Sequence, residues 1–341
     1  MVTMQQIADM AGVHKSTVDK VLHNRPGVSE PVRKKIQKLL EEYDYQPNRA
    51  AQALQYRKRQ WNIGIVLVQV DALTVLQGGV LRGLKAYKDF NIKTRFVTVR
   101  TWEADKMADT IRKMTAEKFD GIILSPINTE EVRNAVTEAA EQEIPVVTVN
   151  ADLEGVPRMC FVGQDGAKAS RVAGRLMAEC LGKKGQIAVV TSAVAEENNN
   201  YYVKIREESF IRYVREKYPN IIITDCIESM ENMEMTRQKT MELLEKEPEL
   251  DGIYITCGGV AEVAETVARV GKAGRIKVIG YESYPKIIEL IKDDCITLTI
   301  DSEIERQGRL AVQNLMQFLL NGRKPETNIF TDINIVLKEL L

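Results

Sequence analysis

The sequence predicts an α/β protein built from two similar halves of parallel sheet and helix, preceded by a small all-α unit. Three observations carry this reading. From Trp61 onward, apolar runs of strand length alternate with amphipathic helical stretches to the end of the 341 residues, the pattern of parallel sheets with covering helices. The body also repeats itself: DGIILSP (Asp120 to Pro126), a helix and IPVVTVNAD (Ile144 to Asp152) return in form as DGIYITCGG (Asp251 to Gly259), a helix and IKVIGYES (Ile276 to Ser283). The first sixty residues, in contrast, carry only helical periodicity and helix punctuation.

In that N-terminal unit, Thr3 and Gln6 have capping-box spacing, and Ile7, Ala8 and Ala11 supply an apolar face, so the first helix spans about Met4 to Ala11. Gly12 can take the positive φ of a sharp turn, and a second helix starts near Lys15. Val18, Val21 and Leu22 face inward on it, whereas Lys15, Ser16, Asp19 and Lys20 lie on the opposite side. This is helix-turn-helix spacing. The loop HNRPGVS follows, Ser29 caps a third helix, and Val32, Ile36, Leu39, Leu40 and Tyr43 form its buried stripe. In PNRAAQALQYRKRQ, Pro47 and Asn48 can begin a short fourth helix with Ala50, Ala51, Ala53 and Leu54.

In the body, NIGIVLV reads as a buried strand, VLRGLKAYKDF as a helix, TRFVTV as a strand and ADKMADTIRKMTAEK as a helix. Ligands of such sheets are expected at the carboxyl ends of the strands.

Charge is uneven. Net charge is −1, yet residues 1–60 hold eleven Lys and Arg against six Asp and Glu, leaving the remainder acidic. A basic head on an acidic body is a footprint of polyanion binding at one end. Only His14 and His23 are present, and the five cysteines form no CxxC or Cys/His cluster, which argues against metal sites, disulfides and histidine catalysis. No cofactor is expected. No apolar run approaches the length of a membrane span, and MVTMQQIADM lacks the pattern of an export signal, so a cytoplasmic protein is expected.

The stretch from Ile7 through Leu54, with IADMAGVHKSTVDKVLHNRPGVSEPVRKKI and YQPNRAAQAL, resembles the lactose-repressor-type (LacI/GalR) family of transcription regulators. The resemblance implies that the second helix enters the major groove, and that a hinge helix pairs with its dimer mate in the minor groove. There Leu54 would wedge into a base step. Such a wedge costs a few kcal/mol of unstacking and gives a kinked duplex that meets more protein surface. An isolated helix that short is marginal in water, so it would form only on DNA.

Lys15, Ser16 and Lys20 are the expected base readers, since Lys prefers guanine O6/N7 and Ser is permissive. Asp19, where the family commonly carries Ser, either accepts from a cytosine amine or pairs with a neighbouring lysine. His14 replaces a usual Ser, losing a good N-cap but offering a donor to phosphate. Thr17, Asn24, Arg25, Asn48 and Arg49 read either as phosphate contacts or as solvated surface. Thr3 and Ala51 complete the expected DNA-facing set.

The body resembles periplasmic sugar-binding proteins, above all their ribose-receptor-like branch. This implies two-lobed, doubly wound parallel sheets with a ligand cleft between the lobes, and chain crossings near Val162, Thr297 and Lys324. The implied organisation is a helix-turn-helix domain at 1–46, hinge and linker at 47–60, and an effector and dimerisation domain at 61–341. Its first lobe would comprise about 61–162 and 297–323, and its second 163–296 and 324–341. By motif position, Asn150 and Asp152 would meet ligand hydroxyls, Arg206 would be the sugar-binding arginine, and Glu282 stands where relatives usually have Asp. Carboxylates and a guanidinium suit a polyol because each can make two hydrogen bonds to adjacent hydroxyls. Trp102, Tyr201, Tyr202 or Tyr281 could cover an apolar sugar face. The sequence departs from the family at Cys257-Gly258, in place of an Asn-Asp pair, and around Asp301 and Ser302, in place of a Gln. Read without the resemblance, Asn150 and Asp152 are turn residues, Arg206 is a solvated helix charge and Tyr281 is core.

No GxGxxG opens a βα unit, no Walker loop appears, and the body offers no Ser/His/Asp or Cys/His set, so an enzyme is not expected. The sequence therefore predicts a dimeric, sequence-specific DNA-binding regulator, a repressor of a pseudo-palindromic operator, controlled by a sugar-like ligand. The alternative is a cytoplasmic ligand sensor of the same fold without a DNA role. The ending VLKELL is too short for an added tetramerising helix, which favours a dimer.

Overall fold

The computed structural model describes residues 2–22, 26–43, 59–153, 155–192, 201–229 and 232–341, with Glu41 and Tyr201 described by backbone only. The expected hinge helix falls at 47–58, outside the described residues, as do Asn24, Arg25, Asn48, Arg49, Ala51 and Leu54.

The N-terminal unit consists of α1 (Met4–Ala11), α2 (Lys15–Leu22) and α3 (Glu30–Glu42). Thr3 caps α1 reciprocally: its hydroxyl accepts from the Gln6 amide, and its own amide donates to Gln6 Oε1 at 2.8 Å. Gly12, at φ 68°, ends the helix, and the Val13 amide returns to the Ala8 carbonyl at 3.0 Å, which satisfies carbonyls the helix cannot. Lys35 of α3 donates to the Ala11 carbonyl at 2.9 Å and so braces the same end. Ile7, Ala8, Ala11, Val18, Val21 and Ile36 form the core. Tyr43 does not join it. It is exposed, because α3 ends at Glu42 and the tyrosine falls in the turn beyond.

Two six-stranded sheets follow. The first has the order β11-β5-β4-β3-β1-β2, the second β12-β10-β9-β8-β6-β7. The first sheet is parallel throughout: β1 (Trp61–Val68), β2 (Ile92–Val99), β3 (Gly121–Leu124), β4 (Val146–Val149), β5 (Cys160–Gln164) and β11 (Asn328–Thr331). The second contains β6 (Gly185–Thr191), β7 (Ile221–Glu228), β8 (Gly252–Ile255), β9 (Lys277–Tyr281) and β10 (Leu298–Asp301), all parallel, closed by antiparallel β12 (Asn334–Val336). Each sheet carries an apolar core on both faces, as doubly wound sheets require.

The echoed DGI motif marks equivalent places in the two sheets. Asp120 accepts from the Asn62 amide at the start of β1 at 2.7 Å, and Asp251 accepts from the Gln186 amide of β6 at 2.8 Å. Each carboxylate pins its strand to the neighbour it pairs with. The glycine that follows admits a covering side chain: a Cβ on Gly121 would lie 2.6 Å from Leu315, and one on Gly252 2.7 Å from Met177.

The helix expected at VLRGLKAYKDF begins earlier and ends earlier, as α4 (Leu73–Lys85). Gly79, which looks like a helix breaker in sequence, serves close packing. A Cβ on Gly79 would lie 2.1 Å from the Glu305 carbonyl oxygen, and one on Gly308 2.6 Å from that of Leu76. Thus α4 and α12 (Ile304–Asn321) meet almost backbone to backbone.

The chain passes between sheets after Gln164, after Asp301, and between Thr331 and Asn334. The last two passages lie beyond the positions expected near Thr297 and Lys324. β10 pairs with β9 before the chain leaves the second sheet, and β11 pairs with β5 before it leaves the first. Both strands are only four residues long and are defined by their pairing partners. Side chains knit the three passages together: Gln164 Nε2 donates to the carbonyls of Asp301 and Asp332 at 3.2 Å, and Thr331 donates to the Ser302 carbonyl at 2.8 Å. Arg306 then links Glu303 (2.6 Å) to Asp332 (2.8 Å).

Candidate functional site

The polar residues at the ends of the second sheet's strands meet around Arg206, which is 7% exposed on α8 (Tyr201–Lys217). Its guanidinium lies 3.5 Å from the ring centre of Tyr281, at the end of β9, and 4.6 Å from that of Tyr202. Nη1 donates to the Thr256 carbonyl at 3.0 Å, just beyond β8. Nε is buried without a hydrogen-bond partner among the described residues. Burial disfavours the charged guanidinium, but Tyr202, Tyr281 and Glu282 outweigh it and hold Arg206 above its usual pKa. Arg206 is therefore not the solvated helix charge of the bare sequence reading.

Glu282 follows β9 with φ 73°, a left-handed conformation costly for a residue with a Cβ. Its carboxyl accepts from the Ser302 hydroxyl at 2.7 Å and lies 3.4 Å from the Ser302 amide. Enclosure pushes its pKa up to about 7; Arg206 and Ser302 oppose the rise, and Asp301 adds to it. Asp301 is engaged separately, by the Ser283 hydroxyl and, at 2.7 Å, by the Glu303 amide. Ser302 thus joins the site to the passage between lobes, because its carbonyl accepts from Gln307 at 2.7 Å and from Thr331.

Cys257 and Gly258 occupy the adjoining end of β8. The Cys257 sulfur lies 3.6 Å from the Ser229 hydroxyl and is 7% exposed, and Gly258 offers backbone alone. Burial pushes another thiol, that of Cys160, up to about 12, which keeps it protonated at neutral pH.

The first-lobe candidates separate. Asn150, half-buried at the end of β4, has φ 68° and donates its backbone N–H to the Val162 carbonyl; asparagine tolerates this turn geometry. Asp152 is engaged by partners within its own lobe. Arg158 grips both carboxylate oxygens at 2.5 Å, and Thr148 donates at 2.6 Å. Arg158 also reaches the Thr327 carbonyl and Asn328, so the pair ties the β4–β5 connection to β11. The structure gives Asp152 a structural ion pair, with 13% of its side chain exposed. Trp102 is 69% exposed beside Arg100 and does not join the cluster. Tyr201 has no described side chain.

Four participants escaped the sequence reading: Gln164, whose carbonyl accepts from the Tyr202 hydroxyl at 2.7 Å, and Tyr254, Ser170 and Tyr284. Tyr284 packs against the cores of both lobes. Enclosure and the nearby carboxylates of Glu282, Asp71 and Asp301 raise its pKa. Its place just after YES at a strand end was the only available signal.

On the N-terminal unit, Lys15, Ser16 and Lys20 are exposed on one side of α2, with Thr17 and Asp19 half-buried beside them. His14 does not leave α2 uncapped. Its Nδ1 accepts from the Ser16 amide at 3.3 Å and lies 2.8 Å from the Ser16 hydroxyl, so an imidazole replaces the usual hydroxyl cap. The Thr3 hydroxyl is likewise occupied within the α1 cap.

Residues 80–324 match the family described as periplasmic binding protein domain, and residues 3–48 match bacterial regulatory proteins of the lacI family. The chain belongs to the periplasmic binding protein domain family, with a lacI-type headpiece. The similarity of the chain to curated relatives is moderate. It is 29% identical over 159 residues to the probable HTH-type transcriptional repressor ExuR of Bacillus subtilis, covering 45% of this chain and 44% of the relative. It thus spans less than half of that relative's length. It is 24% identical to the sucrose operon repressor of Staphylococcus xylosus over 98% of both chains. Among solved structures, a solute-binding protein of Burkholderia graminis in complex with D-arabinose superposes with a TM-score of 0.76 at 18% identity, covering 82% of this chain and 96% of the other. That likeness establishes the two-lobed fold of the body. No helix among the described residues is long and apolar enough to cross a membrane.

Proposed function

We propose that this protein is a sequence-specific DNA-binding transcription regulator, acting as a repressor, whose operator affinity is set by a sugar or sugar derivative bound between the lobes. The observation that carries this reading is the exposed Lys15, Ser16 and Lys20 face of α2 on a lacI-type headpiece, in a chain whose body has a sugar-receptor fold. The division into headpiece (1–46), hinge (47–60) and effector body (61–341) belongs to this proposal. So do a cytoplasmic homodimer reading two half-sites, the absence of catalysis, and the roles of Thr17, Asp19, Asn24, Arg25, Asn48, Arg49, Ala51 and Leu54 at DNA.

In the cleft, Arg206 and Glu282 are the proposed ligand groups, with Asn150 facing from the first lobe and Cys257, Gly258 and Ser302 at the rim. A buried N–H left unpaired costs roughly 1–3 kcal/mol. An acceptor oxygen on the ligand would remove that cost at Arg206 Nε. Ligand engaging both lobes shifts the population between lobe arrangements, and with it the hinge helices at the operator.

The test uses the full chain. Duplexes selected from a random pool should converge on a pseudo-palindrome, and a sugar panel beginning with D-arabinose should contain one member that both raises the melting temperature and changes binding to that duplex. Ligand at 100 times its Kd adds about 2.7 kcal/mol of stability. Selection that enriches no sequence overturns the regulator reading. Leu54→Ala should weaken specific binding more than nonspecific binding, and Asp19→Ser should alter preference at one operator position.

A further inference from the structure

Beneath Arg206, three buried hydroxyl groups form a closed triangle. Tyr254 and Tyr281 hydroxyls are 2.8 Å apart, Ser170 is 2.9 Å from Tyr254, and Ser170 is 3.2 Å from Tyr281. The three come from separate elements: β8, the end of β9, and α7 (Gly166–Cys180). All three residues are almost wholly buried. Each hydroxyl carries one donor and two lone pairs, so three of them can donate in a circle and satisfy every proton without water. The Tyr254 ring is itself fixed, stacked on Phe210 with centroids 3.9 Å apart and planes 14° from parallel.

Tyr281 is the corner that matters for the cleft, because its ring is the platform 3.5 Å from the Arg206 guanidinium. A guanidinium held by stacking can still slide and rotate in the plane of the ring. The Thr256 carbonyl fixes one end through Nη1; the position of the platform fixes the rest. A phenylalanine there would offer the same ring face with nothing to hold its far edge.

We propose that Ser170, Tyr254 and Tyr281 are positioning residues that lock the plane of Arg206 and aim its unpaired Nε–H at the ligand. The proposal rests on the reading of Arg206 as a ligand group. The triangle lets a buried cation be presented rigidly, before ligand arrives, by groups that need not touch the ligand.

The distances rank the corners. Removing the Tyr254 hydroxyl leaves only the 3.2 Å contact, whereas removing that of Ser170 leaves the 2.8 Å one. Tyr254→Phe should therefore disturb Arg206 more than Ser170→Ala, with the ring stack on Phe210 retained in both.

The test follows the Nε–Hε resonance of Arg206 in the full chain labelled with nitrogen-15 arginine, assigned by its loss in Arg206→Lys. In the wild type this proton should be ring-shifted by Tyr281 and slow to exchange. Tyr254→Phe and Tyr281→Phe should speed its exchange at least tenfold and reduce the ring shift; Ser170→Ala should speed it about threefold. An unchanged Arg206 signal in the folded variants overturns the proposal, even where melting temperature falls, since a merely structural triangle predicts that result. If Tyr254→Phe does not fold, Ser170→Ala decides by the same criterion. Calorimetric titration with D-arabinose is run in parallel, and a wild type that binds it should lose about fivefold in affinity on Tyr254→Phe. No binding of any sugar by the wild type would count against the proposed function, while the Arg206 resonance would still judge the positioning role.

Discussion

Ionisation of Glu282 should make the stability of the second lobe depend on pH in an unusual direction. Its carboxyl rises from 4.5 to about 7 on folding, driven first by enclosure. At about 1.4 kcal/mol for each tenfold change in proton affinity, the ionised group costs the fold about 3 kcal/mol at most, since the half-buried side chain retains some water. Below pH 4.5 the group is protonated in folded and unfolded chains alike, and this contribution is fully present. Between 4.5 and about 7 the folded protein holds the proton and the unfolded chain does not, so stability falls as pH rises. Above about 7 both are ionised and the loss is complete. Glu282→Gln cannot ionise. Urea unfolding followed by circular dichroism, for wild type and variant at half-unit steps from pH 4 to 8.5, removes from the difference the titrations of groups that do not interact with Glu282. The variant should gain on the wild type by up to about 3 kcal/mol across this window, with a midpoint between 4.5 and 7. A difference that stays flat with pH, or that grows toward acid, would refute the reasoning.

Other perturbations separate structural from functional roles. Gly79→Ala should destabilise the first lobe by roughly 1–3 kcal/mol through overpacking, because its Cβ would meet a backbone oxygen; Gly78→Ala, with nothing within 4 Å, should be neutral or slightly stabilising, and thermal melts compare the two. Asp152→Asn leaves Arg158, 8% exposed, without its counter-charge, and should cost about 3–5 kcal/mol in denaturant unfolding; a ligand role alone would lower sugar affinity and leave stability intact. His14→Ala should weaken α2 by about 0.5–2 kcal/mol as a lost cap, and His14→Asn should restore it, with amide hydrogen exchange of α2 as the readout.

Much of the architecture is legible because it is written in local periodicity. The capping box at Thr3 and Gln6, the glycine turn at Gly12 and the inward Val18 and Val21 place two helices within a residue of where they lie. The DGI repeat also announces two equivalent sheets, although its physical reason, an aspartate accepting from the next strand's amide, requires knowing which strand is next. The early start of α4 is not legible, since glycine's poor helix propensity outweighs in sequence what close approach to α12 demands in space.

The candidate site shows the same division more sharply. Arg206, Glu282 and Ser302 could be picked out by motif position, and Lys15, Ser16 and Lys20 by the polar side of a short helix. Sequence could not tell that Asp152 is consumed by Arg158, that His14 caps the helix it begins, or that Tyr281 lies under Arg206 with its hydroxyl in a triangle. Those facts depend on partners distant along the chain: Ser170 lies 84 residues before Tyr254 and 111 before Tyr281. The sequence by itself determined what spacing within one turn or one strand can encode, namely the order of elements, the helix-turn-helix and the doubled sheet. Only the tertiary structure decided which polar groups remain unspent, because a carboxylate or guanidinium is available to a ligand only after the fold has chosen its nearer partners.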